Sequence, residues 1–113
     1  MVDIIADLER GGFTAYQQGA APAILPEEFV TVFENPSEDI LHADNKPRQL
    51  RQEWTLIFYT KNTEKIYSGL LAVIKYLKSK GYSINGQGGD AAGAWEGYDA
   101  RAVDVVNVED LEV

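Results

Sequence analysis

The apolar positions of this chain change period several times, and each change marks an element. Ile4, Ile5 and Leu8 follow helical spacing, and Gly11-Gly12 stops it. A short N-terminal helix over residues 1–10 is therefore expected. Phe13-Thr14-Ala15-Tyr16-Gln17 fits a short strand, and residues 19–26 read as a loop broken by Pro22 and Pro26. The run Glu28-Phe29-Val30-Thr31-Val32-Phe33-Glu34 is a strand by its β-branched and aromatic content. A polar stretch follows to about Arg48, too long for a simple hairpin turn.

Residues 49–60 form the longest predicted strand. Leu50, Trp54, Leu56 and Phe58 share one parity, while Arg51, Glu53, Thr55, Ile57 and Tyr59 share the other. One covered face and one partly exposed face are implied. The next segment switches to helical period. Ile66, Leu70, Ile74 and Leu77 make a stripe that Tyr67 and Leu71 widen, over about residues 64–80. Thr63 is the expected N-cap and Gly81 the expected C-terminal cap. Residues 82–85 begin another strand, 86–93 read as a flexible glycine-rich loop, and 100–108 form the last strand. The alternation slips at Val105-Val106, through a bulge or burial on both faces. Glu109, Asp110 and Glu112 make an acidic tail.

Strands joined by loops favour antiparallel pairing, and one long amphipathic helix must cover a sheet face. The expected fold is α+β: an antiparallel sheet of about four strands packed on one main helix, with a short N-terminal helix, in a single domain over residues 1–113. With 45% hydrophobic residues the chain can bury a core without metals or disulfides.

Charge narrows the partners. A net of −8 repels phosphate backbones, so a primary role in nucleic-acid binding is not expected. Five of the ten basic residues, Lys61, Lys65, Lys75, Lys78 and Lys80, gather in or beside the predicted helix. Without cysteine there are no disulfides, thiolate zinc sites or thiol nucleophiles. No apolar run is long enough to span a membrane, and an acid stands where a signal peptide carries its positive charge. A cytoplasmic protein is expected.

Candidate chemistry is sparse. His42 is the only histidine, and no Gly-x-Ser-x-Gly setting accompanies it. A single imidazole cannot supply the nitrogen and sulfur ligands of a zinc site. Gly86-Gln87-Gly88-Gly89 lacks the Lys-Ser or Lys-Thr that a phosphate-cradling loop needs, and Asp90 follows instead. Glu38, Asp39 and Asp44 miss the calcium-loop spacing. No enzyme activity, cofactor or metal is expected. Trp95-Glu96-Gly97-Tyr98 places two large aromatics beside the glycines. They suit contact with another chain, or they fold back onto the sheet edge.

The chain as a whole resembles the small tail-completion, tail-terminator or head–tail joining proteins of tailed bacteriophages. The resemblance rests on the order of elements and the total length. It runs from the short helix through Pro26-Glu27-Glu28-Phe29-Val30-Thr31-Val32-Phe33-Glu34 and the polar Ile40-Leu41-His42-Ala43-Asp44-Asn45. It continues through Glu53-Trp54-Thr55-Leu56-Ile57-Phe58-Tyr59-Thr60, then Ile66-Tyr67-Ser68-Gly69-Leu70-Leu71 and Leu77-Lys78-Ser79-Lys80-Gly81-Tyr82, to the final strand over 99–108.

The resemblance implies a non-catalytic subunit of a phage or prophage particle that forms a ring, often hexameric, at the tail end or in the neck. Its partners would be other tail or neck proteins and further copies of itself. It would reside in the virion, and in the host cytoplasm during assembly, where free subunits can stand as monomers. The candidate assembly contacts are Asp39, His42, Asp44 and Asn45 in the polar stretch, and Asp90, Trp95 and Tyr98 around the glycine-rich one. Both segments are expected to be poorly ordered in the free chain, and removing 88–93 is expected to spare folding. A competing expectation from another class is a small acidic host module or inhibitor that binds protein.

Overall fold

The computed structural model describes residues 3–35, 49–90 and 97–110 of the chain. Helix α1 spans Ile4–Arg10 and is capped by Asp3, whose carboxylate accepts from the Ala6 N–H at 3.1 Å. Strand β1 is Ala15–Gln17, β2 is Glu28–Asn35 and β3 is Gln49–Thr60. A tight turn at Thr63–Lys65 leads into helix α2, Ile66–Ser79. Strands β4, Ser83–Asp90, and β5, Asp99–Asp110, complete one five-stranded sheet in the order β1-β2-β3-β5-β4.

The α+β class is as expected, but the sheet differs from four antiparallel strands. The fifth strand is β1, which lies parallel to β2 with Ala15 beside Val30 and Gln17 beside Val32. The connection between them does not turn back as a hairpin. It returns across the helix-free face, where Leu25 packs against the sheet. The other pairs are antiparallel. The β3–β5 register runs unbroken from Gln49 opposite Asp110 to Thr60 opposite Asp99. Val105 and Val106 are both buried, so the slip in alternation reflects burial on both faces. Glu109 and Asp110 belong to β5, not to a tail.

A second difference lies in β4. Residues 86–90 belong to β4 and are not a loop connecting strands: Gly89 and Asp90 pair with β5, and 86–88 form an offset within the strand. Asn85 stands opposite Asp104 and Gly89 opposite Ala102, so β4 carries two more residues than its partner over that step. Glycine weakens a strand signal in sequence, yet it is the residue that accommodates such an offset. Removing 88–93 would take the paired Gly89 and Asp90 out of β4, so a loss of stability is now the outcome to expect of it in place of a spared fold. The rest of that segment up to residue 96, and the polar stretch 36–48, lie outside the described residues.

The main core lies between the helices and one sheet face. Leu70, Val73 and Leu77 of α2, with Ile4 and Leu8 of α1, pack on Val30, Val32, Trp54, Leu56, Phe58, Val103 and Val105. Val73 takes the place that Tyr67 and Leu71 were expected to fill, and those two point outward. The cap before α2 is Asn62, whose side chain accepts from the Glu64 N–H, and not Thr63. At the far end Gly81 adopts a φ of 96° while the Tyr82 N–H bonds back to the Leu77 carbonyl. That left-handed step favours glycine.

Gly69 is fixed by space. A β-carbon there would stand 2.3 Å from the Phe58 ring. Alanine gains about 1 kcal/mol over glycine in a helix interior, while overpacking costs about 1–3 kcal/mol. Gly69→Ala is therefore expected to lower the urea midpoint, and to raise it once Phe58→Leu has removed the ring. A higher midpoint in the parent background would show that the ring moves aside at no cost.

Candidate functional site

Five groups of side chains stand out among the described residues. The first joins α1 to the end of α2. Asp7 accepts from the Tyr82 hydroxyl at 2.6 Å and from the Arg10 guanidinium, and its carbonyl accepts from the Tyr76 hydroxyl at 2.6 Å. Gly11 allows this closeness, since a β-carbon there would meet the Tyr76 ring at 2.6 Å. Burial, then the Asp7 hydrogen bond and the nearby charges of Asp7 and Asp3, push the Tyr82 hydroxyl well above its ordinary value of 10.0.

The unfolded chain, with an ordinary tyrosine, gives up that proton first. The contribution of Tyr82 to stability is thus whole below about pH 10 and is lost as the pH rises further. Tyr82→Phe is expected to cost about 1.5–3 kcal/mol at neutral pH, the worth of a hydrogen bond to a carboxylate. Urea unfolding should show the gap from the parent narrowing above about pH 10. A gap independent of pH would mean that the hydroxyl titrates normally.

The second group is a hollow of about 190 Å³ at one end of the helix-covered face. Asp3 and Glu34 stand on its wall with Gln17 and Gln52, and Ile4, Ile5, Val32 and Trp54 complete the lining. Gln52 donates to Glu34 at 3.5 Å. The described lining holds two carboxylates and no cation. A larger groove of about 320 Å³, bounded by Phe13, Phe58, Gly69 and Ala72 with Thr14 and Glu28, is polar and apolar in equal measure. A third depression pairs Glu27 and Glu28 with Lys61 and Lys65, so its charges offset one another.

Charge is divided along the chain. Residues 3–35 hold six carboxylates and one guanidinium, a net of −5. Residues 61–81 hold five lysines and one glutamate, a net of +4. In the fold the two sets meet where Glu27 and Glu28 face Lys61 and Lys65, which leaves the acids of α1 and Glu34, and Lys75, Lys78 and Lys80 of α2 and its end, outside that meeting.

The last group includes Tyr98, the one expected contact residue whose side chain is described. It folds back onto the helix-free face. Its hydroxyl donates to the Pro26 carbonyl at 2.7 Å, its edge meets Phe29 at 5.4 Å, and the Lys61 ammonium lies 5.4 Å from its ring centre. Asp90 closes β4 opposite Arg101. Asp39, His42, Asp44, Asn45 and Trp95 lie outside the described residues, so of the expected contacts the structure places only Tyr98 and the backbone of Asp90. Sequence reasoning missed the Asp7–Tyr82 pair and the Asp3–Glu34 hollow, because both join segments far apart in the chain.

Among the described residues no three His, Cys, Asp or Glu side chains gather as a metal site would require. No described helix is long and apolar enough to cross a membrane. No family model matches the chain, and no curated protein matches its sequence.

Proposed function

We propose that this chain is a structural subunit of a tailed-phage or prophage particle, one that completes the tail or joins head to tail as part of a ring. The observation that carries this reading is the order of elements: short helix, strands, main helix, then two closing strands, on one sheet within 113 residues. It is the order on which the sequence resemblance rests. Local charge adds support, because a subunit with acids beside α1 and lysines late in α2 can join like copies without a separate adaptor.

In this reading the protein is not a catalyst. Its partners are tail or neck proteins and its own copies, and its place is the virion. The experiment is to disrupt the coding sequence in a producing phage or lysogen and image the particles. Separate heads and tails, or tails of uncontrolled length, are the expected result. Intact infectious particles in normal number would overturn the proposal.

A further inference from the structure

Helix α2 carries an outward stripe that the fold itself does not bury. Tyr67, Leu71, Lys75 and Lys78 follow at intervals of four, four and three, and so share one flank. Tyr67 is 65% exposed and Leu71 50%, which is unusual exposure for two large apolar side chains one turn apart. No acid occurs between Ile66 and Ser79, in a chain of net charge −8. From β5, Arg101 lays its guanidinium over the Tyr67 ring at 4.7 Å and adds a third cation to the stripe. An aromatic anchor with one cation on its ring and two more further along the same helix flank has the composition of a protein contact.

The fold also contains the complement. The hollow beside α1 sets the carboxylates of Asp3 and Glu34 around the apolar Ile5, Val32 and Trp54, and its described lining has no cation. Glu34 is exposed. A lysine suits such a place twice, with its methylene stem on the apolar floor and its ammonium at the carboxylates. The stripe stands over β5, whereas the hollow is bounded by α1, β1, β2 and β3.

We infer that the α2 stripe of one copy docks at the Asp3–Glu34 hollow of a second copy. The two surfaces differ, so the contact is heterologous. Each copy keeps a free stripe at one side and a free hollow at the other, and repetition closes a ring when the rotation permits. The inference extends the ring reading by naming the two surfaces that meet.

The chain has no cysteine, so cross-linking can be placed at will. Ser79→Cys, beside Lys78, and Gln17→Cys, on the rim of the hollow, are both exposed changes that keep the charges of the contact, and far-ultraviolet dichroism verifies that each variant folds. Under mild oxidation the chain carrying both should give a ladder of multimers. Each single variant should remain monomeric, and a mixture of the two singles should stop at the dimer. Adding Lys75→Glu to the double-cysteine chain should slow cross-linking by at least about tenfold, and adding salt should do the same. No ladder, or a single variant that links to itself as fast as the double one, would overturn the inference. A ladder from a chain that particles do not need would sink the tail reading and leave the contact standing. No ladder from a chain that particles do need would do the reverse.

Discussion

Phe29→Ala should lower the stability of this protein by about 3–5 kcal/mol, although no helix covers the face on which Phe29 lies. Its ring is 1% exposed and is the hub of a second core. Tyr59 stacks on it at 4.8 Å, Tyr98 meets it edge-on, and Tyr16 lies 5.9 Å away. Leu25 and Ala100 close the cluster. Truncation removes the transfer energy of the ring and leaves a cavity between aromatic side chains that cannot collapse without moving the strands. Denaturant unfolding gives the number directly. A loss under about 1 kcal/mol would mean that this cluster is surface decoration and that the helix-covered face alone holds the fold.

Leu70→Ala should cost about 2–5 kcal/mol. Leu70 is buried at the centre of the α2 stripe, between the strand residues below and Val73 and Ile66 along the helix. The matching control is Leu71→Ala, which removes the same atoms from the next position. Leu71 is half exposed, so its loss should stay within about 0.5 kcal/mol. The contrast between adjacent leucines tests the orientation of the helix. Equal losses at the two positions would mean that α2 is rotated from the orientation described.

That orientation marks the limit of what the sequence conveys. The stripe of Ile66, Leu70, Ile74 and Leu77 is legible because its spacing alone selects a face, and Trp54, Leu56 and Phe58 are legible through strict alternation. Tyr67 and Leu71 are apolar too, and nothing local says that they border the stripe on the outer side. The structure separates them by giving Val73 to the core and Tyr67 to Arg101. The cap falls on Asn62 and not on the expected Thr63 because the turn begins one residue earlier than the spacing implies, and Asn caps as well as Thr does. The parallel direction of β1 has no local signal, since three residues read alike either way and the returning loop decides.

The helix-free core was only partly visible. Phe29, Tyr59 and Tyr98 are recognisable as large aromatics, but their meeting depends on strand register and on the loop through Leu25 and Pro26. Tyr98 looked equally suited to a partner and to the sheet for the same reason. The Asp3–Glu34 hollow was illegible in sequence. Asp3 reads there as an acid near the N-terminus and Glu34 as the end of a strand, and only the packing of α1 over the sheet brings them to one place.

The two surplus residues of β4 also bear on solubility. An edge strand with a row of unused amides and carbonyls is a template on which foreign strands can grow without limit. In β4 the offset between Asn85 and Gly89 breaks the even spacing of that row midway, and the glycines there offer no side chains to interlock. A second strand could match the backbone on one side of the offset but not on both. The offset thus works against amyloid-like growth from this edge of the sheet.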